Sequence, residues 1–418
     1  MNDQREILSD AVPEWQLELD KVGFFRRLLL ARKWYKGDWW FVLISGFLLA
    51  GIIIVGVFPQ WFAPHDPRKE VGPSLLGPGE ETPTFILLVD HTSDATSFAD
   101  IAEVKNKIGY TMGSQSTQAM RDTLDRLNTK ADEEGIGIVY QPRGSRFETV
   151  EEGLEAVSAG EVDGFITSEE EIGEVISELD NLIVLEELRS SKAKSFVLGT
   201  NQIGQDIFSR IIWGTRIALI IGLSSAIISF LIGVPLGLFS GFTGGSIDRI
   251  LTFIMDSLYT FPGLILAIAI AAVLGAGIGN IIIAISVVYI PTYFRIVRGQ
   301  TLTVKNELYV EAAHSLGTKP LQIITKYIFP NVLPSVVIIF SVNVADAILT
   351  EAGLSFIGLG LPPDTPDWGI DLARGQDYLR RAWWLITFPG AMVSLVTLSF
   401  SMLGESLSEI LNPRLSEL

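Results

Sequence analysis

EAAHSLGTKPLQIITKYIFPN, Glu311–Asn331, is a polar, punctuated stretch between segments apolar enough to cross a bilayer, and its reading decides the kind of membrane protein. Tyr309–Leu316 favours helix, Gly317 interrupts it, and Thr318-Lys319-Pro320 restarts a second helix with a capping residue and an early proline. Leu321, Ile324 and Ile328 recur at helical spacing with Lys319, Gln322 and Lys326 opposite, and Pro330 and Pro334 end the segment. The expectation is two short helices at a fixed angle, with one apolar and one basic face. Such an object is either an interfacial connector or a knob that fits a groove on a soluble partner.

The surroundings are those of a polytopic protein. Hydrophobic residues make up 48% of the chain, and several apolar runs reach bilayer length. The first, Trp39–Phe62, carries tryptophans at both ends. It starts too late, and runs too long, for a cleaved signal peptide. Lys21, Arg26, Arg27, Arg32, Lys33 and Lys36 precede it and keep the N-terminus cytoplasmic by the positive-inside rule. Further spans are expected at 217–239, 250–274, 279–297, 332–350 and 384–403, so six spans return the C-terminus to the cytoplasm and place the Glu311–Asn331 stretch there too.

With no cysteine, disulfides and thiolate metal sites are excluded; His65, His91 and His314 are scattered, and no metal site is expected. Of the net charge of −17, about −15 lies between Asp66 and Phe196. That acidic block argues against nucleic acid or anionic lipid as its partner. Gly199–Gly204 has the glycine spacing of a phosphate loop, but Gln205 and Asp206 stand where the lysine and hydroxyl belong, so ATP is not held there. Asp256 and Asp346 are costly within lipid and should face a pathway or a partner helix.

Glu311-Ala312-Ala313, then Gly317 and Pro330, resembles the EAA loop of ABC-transporter permeases, the coupling segment that docks on the ATPase. LGTNQIGQDIFSRIIWGTRIAL (Leu198–Leu219), SGFTGGSIDR (Ser240–Arg249), EAGLSFIGLGLPPDTPDWG (Glu351–Gly369) and NPR (Asn412–Arg414) are similar to the second permease of dipeptide and oligopeptide importers. The resemblance implies an all-α polytopic fold of about six transmembrane helices, without a cofactor. It also implies two ATP-binding subunits, a second and different permease subunit, and an extracytoplasmic solute-binding protein. Asn201 and Gln205 depart from that family's usual aspartate and arginine. Peptides, nickel chelates and some sugars use similar permeases.

The domain plan is a cytoplasmic tail (1–38), a first span (39–63), an extracytoplasmic insertion (66–196) and a permease core (197–418) with its coupling loop at 309–331. The insertion alternates strands (85–91, 107–112, 135–141, 161–168, 182–188) with helices, so a parallel-type α/β sheet is expected. It is similar to one lobe of amino-acid-type periplasmic solute-binding proteins. In those, the turn matching Ser114, Gln115, Ser116 and Thr117 holds a ligand carboxylate; the alternative is an ordinary serine-capped turn. The insertion would then dock a binding protein or gate the outer mouth. The competing function is a membrane receptor sensing ligand through this lobe, for which the sequence supplies no cytoplasmic output domain.

Overall fold

A computed structural model describes residues 36–72, 74–80, 85–102, 105–111, 116–133, 139–168, 172, 181–188 and 195–411. The basic flank preceding the first span, except Lys36, and Asn412–Arg414 lie outside these. Two compact units emerge: one comprises the described residues up to Pro64, Ser209–Leu379 and Leu385 onward, the other His65–Phe208 and Arg380–Trp384.

Helix α1 (Lys36–Val57) is apolar on every side and stops at Val57, because Phe58 precedes a proline and is pushed out of helical geometry.

The second unit contains β1 (Phe85–Asp90), α2 (Phe98–Ile101), β2 (Lys107–Thr111), α3 (Ser116–Glu133), β3 (Arg143–Phe147), α4 (Val150–Ser158), β4 (Gly164–Ser168) and β5 (Leu182–Leu188). The sheet order is β3-β2-β4-β1-β5. Period-2 alternation splits its side chains between two cores. Leu87, Val89, Ile108 and Ile166 meet α2 and α3, while Ile86, Leu88 and Phe165 meet α4. The expected parallel sheet is corrected in one strand: β2 pairs parallel with β3 and β4, but β1 runs antiparallel to both β4 and β5. An inserted unit has to leave where it enters, and an antiparallel first and last strand achieves this. The strand expected at 135–141 is also displaced. Residues 135–138 lie outside the described residues, Val139–Gln141 form no strand, and β3 begins at Arg143. This edge strand reads as polar, so hydropathy overlooks it; charges on an edge also discourage unwanted pairing.

The first unit continues with α5 (Ile207–Thr243), α6 (Gly245–Tyr259), α7 (Gly263–Leu274), α8 (Ile278–Val304), α9 (Leu308–Ser315), α10 (Pro320–Ile323), α11 (Phe329–Phe356), α12 (Trp368–Gly375) and α13 (Trp384–Leu411). Five helical stretches are long and apolar enough to cross a membrane: Trp40–Val57, Ile207–Thr243, Ile278–Val304, Pro320–Phe356 and Trp384–Leu407. The straight span expected at 250–274 is instead two helices, α6 and α7, bent by 88° at Thr260–Pro262; counted as one broken span they make the sixth. Pro262 cannot continue α6, and Thr260 caps the break by donating its hydroxyl to the Asp256 carbonyl at 2.8 Å.

Close backbone approach holds α5 on α8. A Cβ on Gly233 or Gly237 would lie 2.8 Å from the carbonyl oxygen of Ile290 or Phe294. This small-residue seam substitutes for a hydrophobic driving force, which is absent between helices in lipid. Leu49, Ile52, Leu219, Val344, Trp368 and Val396 then knit α1, α5, α11, α12 and α13 into one core.

Candidate functional site

The helix α9 buries Val310 and Ala313 and leaves Glu311, Ala312 and His314 exposed. It ends in a Schellman motif: Gly317, at φ +77°, donates its N–H to the His314 carbonyl (2.9 Å), and Thr318 donates to that of Ala313 (3.1 Å). Only glycine reaches that φ without strain, which is why the break falls there. Pro320 opens α10 in the first turn, where its missing N–H costs nothing.

Beyond this the expected geometry changes. The second short helix does not end at Pro330. It passes through a π-turn, Ile324–Ile328, straight into α11, with Phe329 N–H bonded to the Ile324 carbonyl. The widened turn accommodates a proline ring that would otherwise strike the carbonyl four residues back. The expected apolar face is also rotated: Ile323 and Ile328 are buried, Ile324 is half-buried, and Leu321 is 71% exposed. Leu316, at 85%, and Leu308 are exposed as well. A groove of about 860 Å³ runs beside them, lined by Phe242, Val310, Glu311, His314 and Leu321 among others.

The two intramembrane aspartates separate in character. Asp256 accepts from Arg295 Nη2 at 2.8 Å, and the guanidinium lies 4.1 Å from the Tyr259 ring centroid. Asp346 lines a cavity of about 500 Å³ bounded by Tyr259, Tyr289, Thr292 and Asn343.

Sequence reading missed three buried polar locks. Arg210, fully buried, donates Nε to both Asp371 oxygens (2.8 and 3.1 Å) and Nη2 to the same carboxylate (2.7 Å). Burial pushes the Asp371 carboxyl up, while the Arg210 guanidinium pulls it back down. Asp367 caps α12 by accepting from Ile370 N–H; burial raises its carboxyl above the usual range, with Glu351 beside it. Where α5, α6 and α8 meet, Arg298 of α8 grips Asp248 of α6 through two bonds (2.6 and 2.7 Å), and Ser240 of α5 donates to the same carboxylate (2.6 Å). The one legible signal was Asp367 immediately before Trp368-Gly369, a helix-capping pattern.

In the second unit, the loop with phosphate-loop spacing is occupied by its own bonds. Asn201 Nδ2 donates to Gln205 Oε1 (2.8 Å), Gln205 N–H returns to Asn201 Oδ1 (2.9 Å), and Gln205 Nε2 donates to the Arg68 carbonyl (2.9 Å). Of the proposed ligand turn, Ser114 and Gln115 lie outside the described residues; Ser116 and Thr117 open α3 in backbone only.

A bundle of apolar, bilayer-length helices with an aspartate in the lining of a cavity among them is that of an integral membrane protein. Residues 233–417 match the binding-protein-dependent transport system inner membrane component family. The chain is 38% identical over 236 residues to the glutathione transport system permease protein GsiD of Pectobacterium atrosepticum, covering 56% of this chain and 78% of that one. It is 39% identical over 220 residues to the di/tripeptide transport system permease protein DppC of Pseudomonas aeruginosa, covering 53% and 73%. A chain of the MetNI methionine ABC transporter in an inward-facing conformation aligns over 47% of this chain and 96% of its own length, at 18% identity and a TM-score of 0.38. The chain therefore belongs to the binding-protein-dependent transport system inner membrane component family: it is a multi-pass inner-membrane permease subunit of the ABC importer type.

Proposed function

We propose that this subunit forms half of the translocation path of an ATP-driven importer of peptides or chemically related solutes. It pairs with a second, different permease subunit, two ATP-binding subunits and an extracytoplasmic solute-binding protein. Both termini are cytoplasmic. The names of the relatives, which carry glutathione and di- or tripeptides, support the substrate class.

Glu311, Ala312, Ala313, Gly317 and Pro330 form the coupling element in this reading. The carrying observation is the groove beside α9, with Leu316 and Leu321 exposed at its margin. Isolated leucines so exposed at a helix corner fit the apolar anchor of a helix-in-groove contact. The cavity lined by Asp346 belongs to the pathway, and Asp256 serves mainly as the ion-pair partner of Arg295. The insertion, residues 66–196, is a tethered extracytoplasmic lobe that docks the binding protein or gates the outer mouth, and the permease core follows it.

The test is Gly317→Pro in the reconstituted complex. Proline cannot adopt a positive φ, so the Schellman turn is lost and substrate-stimulated ATP hydrolysis falls to the unstimulated rate, while membrane insertion is unchanged. Normal stimulation in this variant would refute the coupling reading.

A further inference from the structure

Asp346 stands in the apolar span α11 and makes no hydrogen bond or ion pair among the described residues, whereas Asp256 has Arg295. Three residues earlier on the same helix, Asn343 is 3% exposed, its amide nitrogen covered and set beside the Tyr293 hydroxyl. Both residues line the cavity of about 500 Å³. A lone carboxylate within a bilayer costs several kcal/mol. The neighbouring hydroxyl, Tyr289 Oη, is engaged with Thr350 Oγ1 at 3.0 Å, and Asp346 is the charged residue of the cavity's lining.

A carboxylate accepts from a cationic donor and repels an anion, and an apolar solute leaves it unpaired. The α-ammonium group of a peptide is such a donor.

We propose that Asp346 forms a transient intramembrane subsite that receives the α-ammonium group of a peptide in transit. The proposal rests on the reading of this cavity as pathway. A transient site of this kind is weak by design, since a solute that bound tightly at the midplane would not leave.

The chain contains no cysteine, so a single cysteine at Val342, a half-exposed lining residue of the cavity, is a unique reporter. Membrane vesicles holding the assembled complex are treated with methanethiosulfonates bearing either trimethylammonium or sulfonate, with rates normalised to a free thiol. With Asp346 intact the cationic reagent should react about fivefold faster, the size expected of one charge at short range in a wet cavity. The ratio should approach one in Asp346→Asn and persist in Asp346→Glu. Millimolar dialanine should slow the reaction, and N-acetyl-dialanine should not; this arm needs no change at Asp346 and survives a misfolded variant. Rapid modification with a ratio indifferent to Asp346→Asn, or equal protection by the two peptides, would overturn the subsite and leave the pathway reading standing. A cysteine inert to both reagents until detergent is added would overturn the pathway reading, and the subsite with it.

Discussion

Phe85 and Leu188 face one another as register partners, the first residue of β1 opposite the last of β5. The inserted sheet therefore opens and closes at a single point, and its two chain ends lie one strand spacing apart, about 5 Å. A fragment of residues 82–190 should be soluble and unfold cooperatively, since both faces of its sheet are already covered by its own helices. Conversely, replacing that segment by a short Gly/Ser bridge should leave ATP hydrolysis coupled and alter substrate delivery. Circular dichroism melts of the fragment and transport assays of the deletion check the two halves; a fragment that aggregates without a cooperative transition contradicts the first.

Acid should destabilise that fragment in a defined direction. Asp100 is held below the usual carboxylate range by the backbone N–H and then the hydroxyl of Thr96, followed by the backbone N–H of Ser97. Because the folded value is depressed, the stability it contributes is fully present above the unfolded value of about 4 and is lost as pH falls through the folded one. Asp100→Asn should lower the melting temperature at neutral pH and converge with the unmodified fragment as pH is lowered towards about 2. A constant difference across the series would show that Asp100 does not act through its charge.

The glycine seam between α5 and α8 should tolerate no side chain. Gly237→Leu drives atoms into the Phe294 carbonyl region, where backbone rather than a movable side chain must yield; overpacking of this kind costs about 1–3 kcal/mol or more. Gly279→Ala, with open space around its Cβ, should change stability by less than about 0.5 kcal/mol. Thermal inactivation of the purified protein in detergent ranks the two.

The buried Arg210–Asp371 pair should be asymmetric to mutation. Arg210→Met strands a carboxylate with no water to stabilise it and should cost about 3–5 kcal/mol. Adding Asp371→Leu should recover most of that loss, because two charges removed together leave no orphan. Equal destabilisation by the single and double variants would mean that the pair does something beyond mutual neutralisation.

The sequence carries the spans, their order and the corner at Gly317, because each depends on neighbours within a few turns: apolar runs of bilayer length, and a residue free to take a positive φ. The paired groups were invisible for the opposite reason. Arg210 and Asp371, or Asp248 and Arg298, are far apart along the chain and meet only after the helices have packed. The edge strand β3 was missed because its polar residues owe their strand geometry to β2 beside them. The break at Thr260–Pro262 had a local signal, the proline, but the apolar residues on either side masked it. Asn201 and Gln205 read only as departures from an aspartate and an arginine; in the fold they are a mutually bonded neutral pair, so the loop keeps its internal lock without charge.

The unbroken run from Pro320 to Phe356 has a mechanical consequence. At 37 residues it is a strut about 55 Å long, carrying the exposed Leu321 near one end and Asp346 roughly 39 Å along it. Pivoted at its Pro320 end, such a strut turns a tilt of about 5° into a sideways travel of roughly 3 Å at Asp346, comparable with the reach of a hydrogen bond. The π-turn at Ile324–Ile328 and the in-helix Pro334 are places where its ladder of backbone bonds is irregular. Under the coupling role proposed above, these two points would set how much of a partner's motion reaches Asp346.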